Sequence, residues 1–173
     1  MNLKTLPNEL KFLIEKYTAA GLEITTPPIP ETENSDYRAY RFGLNNYNIV
    51  FRVAKTTPTK IGQFVTLWKR PRPHDEIAPL DTTDNIDFVI VNVSDGIHSG
   101  QFIFNTKILA VKDIFSRDSK GEKRAFRLYP PWTNPSSPQA LKTQKWQLPY
   151  FLSFNGNEHL NAEQMRKLFE KND

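Results

Sequence analysis

The sequence predicts an α/β (α+β) protein with a single domain, in which a mixed central sheet is flanked by helices. Apolar residues recur at helical spacing near both ends of the chain. Between residues 37 and 154, about seven short segments show the alternation or the continuous apolar run of a strand. The length of 173 residues suits one hydrophobic core.

A helix is predicted at each end of this domain. The first is expected over residues 3–20, where apolar side chains recur every three or four residues and Gly21 provides a stop. The second is expected over residues 162–171, with Asn161 as its N-cap and Gln164 completing a capping box. The proline-rich segment 25–34 between the first helix and the sheet is predicted to be a loop.

The strand predictions begin with a hairpin. Residues 40–44 and 49–53 alternate apolar with polar side chains, and the asparagines at 45 and 46 tolerate the positive φ of a tight turn. Residues 88–93 form a nearly continuous apolar run, as expected of a central strand, and residues 100–104 are its predicted partner.

Less regular segments predict the remaining elements. Residues 64–69 are expected to form one strand, and Phe126 and Leu128 belong to another. Apolar residues from Ile108 onward are spaced as in a helix, with Asn105 or Thr106 as its cap. Residues 146–154 are a further strand candidate.

Composition excludes several classes of protein. The chain has no cysteine, so disulfides and thiolate metal sites are excluded. No apolar run approaches the roughly 18 residues of a membrane span, and the N-terminal residues lack the apolar core of a secretory signal. A cytoplasmic location without a membrane partner is expected.

Positive charge is concentrated in two parts of the chain. The first basic segment, residues 51–80, has six basic and two acidic side chains, and the second, residues 101–150, has nine and three. Residues 81–100 between them have four acidic and no basic side chains. Clustered charge of this kind indicates either a face for a polyanion or simply a solvated surface.

The basic segments supply the candidate nucleic-acid-binding residues. Lysines in a turn between strands are suited to phosphate oxygens, although lysines also protect strand edges from aggregation. Aromatic residues such as Trp132 and Trp146 beside cations suit stacking with bases, although they more often belong to a core. The candidates are Lys55, Lys60, Gln63, Lys69, Arg70, Arg124, Arg127, Lys142 and Lys145.

Candidates for catalysis are few. Asp87, at the start of the central strand, is the one acid suited to bind a divalent cation, although an acid at a strand end is more often a cap. The sequence contains neither a nucleophile elbow nor a phosphate-binding glycine loop.

Four segments, in order along the chain, resemble the MepB-like family of small bacterial proteins, which is named from an operon that encodes a multidrug exporter. They are AKTTPTKIGQFVTLWKR, GQFIF, FRLYPPW and KTQKWQLPYF, and the resemblance extends over about residues 37–151. It implies a fold similar to the core of PD-(D/E)xK restriction endonucleases, and therefore a DNA-binding cleft and a metal-dependent ancestor.

That resemblance also implies where a catalytic site would lie. Asp87 takes the position of the first acid, and Gln101 stands where an acid would be expected on the next strand. Ile103 cannot replace the lysine of the motif, so Lys107 is the candidate ammonium group. The alternative placements are Gln63 for the acid and Lys69 for the ammonium group, and the upstream acid is either Asp36 or a glutamate of the first helix.

We therefore expect a protein that binds DNA or another nucleic acid, with an endonuclease-like fold and a degenerate catalytic site. No cofactor is expected, unless nuclease activity is retained and requires Mg²⁺ at Asp87. The first alternative is an active Mg²⁺-dependent nuclease. The second is a regulatory domain that binds another protein and is linked to drug-resistance operons.

Overall fold

The computed structural model describes residues 2–170, and a six-stranded sheet forms its centre. Its strands are β1 (Ile24–Pro30), β2 (Tyr40–Leu44), β3 (Tyr47–Val53), β8 (Phe88–Ser94), β9 (Ser99–Asn105) and β11 (Phe151–Ser153). They lie in the order β1-β2-β3-β8-β9-β11, and β3 and β8 are the parallel pair, so the predicted mixed sheet is confirmed.

Two smaller sheets lie outside this one. A three-stranded sheet has the order β10-β5-β4, and a two-stranded sheet joins β6 to β7. Their strands are β4 (Lys55–Thr56), β5 (Gln63–Thr66), β6 (Trp68–Lys69), β7 (Ala78–Pro79) and β10 (Ala125–Leu128). The helices are α1 (Asn8–Ala19), α2 (Thr106–Val111), α3 (Pro138–Gln147) and α4 (Glu158–Leu168).

The two faces of the central sheet are covered by different layers. Phe88 and Ile90 of β8 pack with residues of α1 and α4 in one apolar cluster. Val89 and Val91 of the same strand pack in a second cluster with residues of β5, β10 and α2. Because both faces of β8 are buried, a continuous apolar run is the sequence that such a strand requires. None of the helices in residues 2–170 has the length and apolarity of a membrane-spanning segment.

The hairpin predictions are confirmed. The turn between β2 and β3 has φ of 49° at Asn45 and 65° at Asn46, which is the left-handed region that a two-residue turn needs. β8 and β9 pair antiparallel along seven residues, from Phe88 opposite Asn105 to Ser94 opposite Ser99. Asn105 caps α2, since its side-chain oxygen accepts a hydrogen bond from the Ile108 N–H at 2.8 Å.

Three predictions about elements in the N-terminal half and the first basic segment are wrong, and one element was missed. The N-terminal helix begins at Asn8 rather than at residue 3, because Leu6 is extended before Pro7. The segment from Ile24 to Pro30 is a strand rather than a loop. Its prolines have no N–H to donate, but β1 lies at the edge of the sheet, where one side of the strand needs no hydrogen-bond partner. The predicted strand 64–69 divides at Leu67 between two sheets. Helix α3 was not predicted.

The C-terminal helix also begins earlier than predicted. Its N-cap is Asn157, whose side-chain oxygen accepts hydrogen bonds from the N–H groups of His159 and Leu160, so Asn161 lies inside the helix. The helix ends at Leu168, and the predicted end at residue 171 lies outside the described residues.

Candidate nucleic-acid interface

A cavity of about 470 Å³ lies between strand β10 and helix α3, and we call it the α3 cavity. Four of its lining residues are basic, one from the first basic segment and three from the second. Tyr129 and Trp146 contribute aromatic surface, and no Asp or Glu lies among the described residues that line it. The basic residues are Lys60, Lys112, Lys123 and Arg127.

Strand pairing explains why the two basic segments meet here. β10 pairs antiparallel with β5, so Arg127 lies opposite Phe64, and its guanidinium lies over that ring, 5.7 Å from the centroid. The same guanidinium donates to Thr57 Oγ1 at 2.7 Å and to the Ile61 carbonyl at 3.3 Å. Arg127 therefore holds the loop that presents Lys60.

The loop of Lys60 ends at Gly62, where a side chain would not fit. Its φ is +86°, in the left-handed region. A Cβ at this position would also lie 2.9 Å from the Tyr129 ring and 2.7 Å from the Leu128 carbonyl oxygen. Glycine therefore lets the loop lie directly against β10, beside the cavity.

Two glutamines position α3 against β10. The buried Gln147 donates to the Arg127 carbonyl at 2.8 Å and accepts from the Tyr129 N–H at 2.9 Å. Gln144 donates to the carbonyls of Pro130 and Thr133 at 3.1 and 3.0 Å. These bonds fix the helix beside Arg127. They could not be predicted from the sequence, because hydrogen bonds to the backbone of a distant segment leave no pattern in the residues around Gln144 and Gln147.

The first turn of α3 also lines the cavity. Ser137 is the N-cap and accepts a hydrogen bond from the Ala140 N–H at 3.2 Å. Because peptide dipoles add along a helix, its N-terminus contributes partial positive charge to the same space. The cavity thus combines four formal charges with one helix N-terminus.

Among residues 2–170, none of the four lining cations forms an ion pair with a carboxylate. Lys69 and Arg70, which were also predicted to bind nucleic acid, do form such pairs. Lys69 Nζ lies 2.5 Å from Asp84 Oδ1, and Arg70 Nε lies 2.9 Å from Glu33 Oε1. The lining cations, in contrast, are not within ion-pair distance of any carboxylate in the described part of the chain.

The other predicted contact residues are dispersed. Lys55 is exposed, with its ammonium 4.9 Å from the centroid of the Tyr37 ring. Arg124 donates to the carbonyls of Ile77 and Glu122. Lys142 and Lys145 are exposed on α3 but do not line the cavity.

Gln63 faces inward. It is buried, and its amide donates to Thr56 Oγ1 and to the Ser94 carbonyl. These hydrogen bonds hold β5 against the end of β8, so the Gln63 amide is not presented to solvent, where it could contact a nucleic acid.

The structure brings together two of the three candidate catalytic residues. Asp87 and Lys107 line a second cavity, of about 550 Å³, which we call the α2 cavity. Asp87 Oδ2 accepts a hydrogen bond from the Asn48 N–H at 2.8 Å, which ties β3 to the start of β8.

Gln101 lies elsewhere. It is opposite Asn92, five residues along β8 from Asp87, which corresponds to roughly 16 Å at the usual rise of a strand. Its side chain is buried beneath α1, where Oε1 accepts a hydrogen bond from the Tyr17 hydroxyl at 2.6 Å. Burial raises the pKa of that hydroxyl, and the bond to Gln101 opposes the rise only in part. Gln101 therefore pairs with a neutral tyrosine in the core.

The two tryptophans that were considered for stacking on bases, Trp132 and Trp146, have partners within the protein. Trp132 is stacked on His98, with ring centroids 5.1 Å apart and planes within 12°. Trp146 packs against Phe104 at 5.6 Å, and the Lys112 ammonium lies 5.5 Å from the centroid of its indole ring. Base stacking on these rings stays a prediction that the observed packing does not favour.

Comparison with known proteins agrees with the motifs that suggested the family. The family model described as MepB-like matches residues 31–153, which is most of the chain. This chain belongs to the MepB-like family. A solved structure titled "Crystal Structure of MepB" is similar to this MepB-like protein, with a TM-score of 0.74 and 32% sequence identity. The alignment covers 87% of this chain and 100% of that one. A search of curated protein sequences returned no significant match.

Proposed function

We propose that this MepB-like protein binds nucleic acid, with DNA as the expected form, through the α3 cavity. The observation that supports the proposal is that cations from both basic segments, none of them in an ion pair among residues 2–170, line one cavity that no carboxylate lines among the described residues. Such a concentration of positive charge attracts the phosphates of a polyanion. The endonuclease-like core and degenerate catalytic site implied by the family resemblance remain part of this proposal.

The proposed contacts are with the phosphate backbone rather than with the bases. Lysine and arginine reach phosphate oxygens without reading sequence. The indole rings of Trp132 and Trp146 are occupied by His98 and by Phe104 and Lys112, which leaves less aromatic surface for bases. We therefore expect the affinity to depend on charge more than on base composition.

Salt titration tests this mode of binding. With four phosphate contacts, the logarithm of the association constant for a single strand is expected to fall against the logarithm of salt concentration with a slope of about −3. The measurement is the fluorescence anisotropy of a labelled oligonucleotide, titrated with protein at KCl concentrations from about 50 to about 300 mM. A slope near zero would contradict the proposal.

A charge reversal in the cavity tests its location. Lys123→Glu is expected to weaken binding about tenfold and to make the salt slope shallower by about one, because it removes one phosphate contact and adds repulsion. Lys167→Glu is the matched control, since Lys167 is exposed on α4, which packs on the other face of the central sheet. Equal losses in both variants would place the binding surface elsewhere.

Metal-dependent cleavage is the weaker alternative. Asp87 is the one carboxylate among the described lining residues of the α2 cavity, and residues 2–170 contain no cluster of three or more His, Cys, Asp or Glu suited to a metal ion. A two-carboxylate nuclease site requires a second acid beside Asp87.

We accordingly expect no cleavage of single-stranded, duplex or nicked DNA in the presence of Mg²⁺ or Mn²⁺. Gel electrophoresis after prolonged incubation checks this expectation. Cleavage that disappears in Asp87→Ala, while binding is kept, would establish the nuclease alternative instead. A protein partner retained in pull-downs after nuclease treatment would favour the protein-interaction alternative.

A further inference from the structure

The volume of the α3 cavity limits what can enter it. About 470 Å³ has room for a single phosphate with its sugar but not for a base-paired duplex. A phosphate at the end of a strand has the least chain attached to it, so it enters such a volume more easily than a phosphate inside a strand.

The charge of the lining indicates which phosphate would fit best. A phosphodiester inside a strand carries one negative charge, whereas a phosphomonoester carries about −1.5 to −2 near pH 7 and offers three strong acceptor oxygens. Four lining cations, none of them in an ion pair among residues 2–170, match the more highly charged group better. The N-terminus of α3 adds partial positive charge to the same volume, although Pro138 has no N–H and the Ala140 N–H is bonded to Ser137.

The cationic groups differ in how firmly they are held. The Arg127 guanidinium is fixed by its bonds to Thr57 and Ile61 and by its position over Phe64. Lys60 and Lys123 are exposed, and the Lys123 ammonium is held only by one long hydrogen bond to the Lys112 carbonyl at 3.4 Å, so these two side chains can reorient towards an anion. A fixed guanidinium surrounded by adaptable ammonium groups suits a compact anion with several equivalent oxygens.

We propose that the α3 cavity binds the phosphomonoester at the end of a nucleic-acid strand. This inference rests on the proposed function and adds the chemical class of group that occupies its central cavity. A strand with a terminal phosphate then binds more tightly than the same strand with a hydroxyl end, while both share the electrostatic attraction of the surrounding surface.

The test compares matched single-stranded oligonucleotides of one sequence with both ends hydroxyl, with a 5′-phosphate, or with a 3′-phosphate. The label is placed at the opposite end or at an internal base, and anisotropy is measured at fixed salt. One of the phosphorylated strands is expected to bind about tenfold more tightly than the hydroxyl strand, since a hydrogen-bonded charged group contributes that much. Equal affinity for all three strands would overturn the inference.

Variants assign the discrimination to the cavity. Lys60→Gln and Lys123→Gln are expected to reduce the preference for the phosphorylated strand by a larger factor than they reduce binding of the hydroxyl strand. Lys142→Gln removes the same charge from an exposed position on α3 outside the cavity, so it is expected to weaken both strands equally. Circular dichroism and a melting curve verify that each variant is folded. A preference unchanged in both cavity variants would contradict the assignment.

A free mononucleotide provides the same phosphomonoester from another source. Competition with AMP and with inorganic phosphate separates the two, because a strand end is also held by the surrounding basic surface and neither competitor is. AMP and inorganic phosphate are each expected to displace the phosphorylated strand only when the competitor concentration is at least about tenfold above the dissociation constant of the phosphorylated strand. Displacement by AMP at equal concentration would identify a free nucleotide as the ligand and overturn the assignment to a strand end.

The outcomes also separate this inference from the proposed function. Salt-dependent binding of all three strands with equal affinity leaves nucleic-acid binding intact and removes the terminal-phosphate site. Absence of binding by any strand contradicts both.

Discussion

Glu31→Ala is expected to lower the free energy of unfolding by about 3–5 kcal/mol, the usual loss when a buried charge is left without its partner. The Arg52 guanidinium is fully buried and forms an ion pair with Glu31, whose side chain is 18% exposed. Arg41 Nε also donates to Glu31, at 2.6 Å. Burial lowers the pKa of Arg52 and the charge of Glu31 opposes that effect, so the carboxylate compensates a guanidinium that stays charged in the interior.

Urea denaturation at pH 7 measures this effect, and Glu33→Ala is its matched control. Glu33 lies two residues further along the same segment and pairs with Arg70, but both of these side chains are about one-third exposed. Removing such a pair is expected to cost less than about 1 kcal/mol. Similar losses in the two variants would show that the Glu31–Arg52 pair is not energetically distinct from a surface pair.

Asp81→Asn is expected to destabilise the protein by about 3 kcal/mol at pH 7, because the amide cannot accept all the bonds that the carboxylate accepts. Asp81 is 2% exposed and accepts hydrogen bonds from the Thr83 N–H and hydroxyl at 3.0 and 2.7 Å. It also accepts from the Ser116 hydroxyl at 2.6 Å and from the Ser119 N–H at 3.0 Å. The carboxylate thus joins the segment after β7 to the segment after α2.

The pH dependence of this effect follows from the pKa of Asp81. Burial opposes ionisation, but the hydrogen bonds from Ser116, Thr83 and Ser119 outweigh it and hold the pKa well below the ordinary value. A carboxyl group with a lowered folded-state pKa stabilises the protein above the unfolded-state pKa of about 3.9. That contribution is lost as pH falls from there through the folded-state pKa.

The stability difference between wild type and Asp81→Asn is therefore expected to be largest near neutral pH and to shrink below about pH 4. Urea denaturation midpoints of both proteins, determined at several pH values from about 7 down to about 2, measure this stability difference. Asp118→Asn is the control, since Asp118 is exposed nearby and its substitution is expected to have little effect at any pH. A difference that stays constant across this range would mean that the carboxylate charge is not involved.

Local patterns in the sequence were sufficient for the elements whose signal lies in adjacent residues. The two asparagines at 45 and 46 identified the β2–β3 turn, because few other residues adopt positive φ. The apolar run at β8 identified the central strand, because a strand covered on both faces must be apolar on both. Four family motifs in order along the chain identified the family that the comparison confirmed.

Elements whose stability comes from distant partners were predicted less well. β1 contains three prolines, which have no N–H to donate. It can be a strand because it lies at the edge of the sheet, where one side of the strand has no neighbour that needs those donors. Helix α3 has a weakly apolar sequence, and Gln144 and Gln147 attach it through hydrogen bonds to carbonyls of another segment. Neither β1 nor α3 has the regular spacing of apolar residues by which a strand or a helix is predicted from sequence.

The residues of the candidate site also fall into those that the sequence could predict and those that depend on the fold. The sequence by itself determined that basic residues are concentrated in two segments and that the family motifs are present. Only the tertiary structure decided which of those cations share a cavity: Lys60 and Arg127 do, whereas Lys69 and Arg70 are paired with carboxylates and Arg52 is buried. The physical reason is that a side chain's charge is set by its own chemistry, whereas burial and pairing depend on what the fold brings near it.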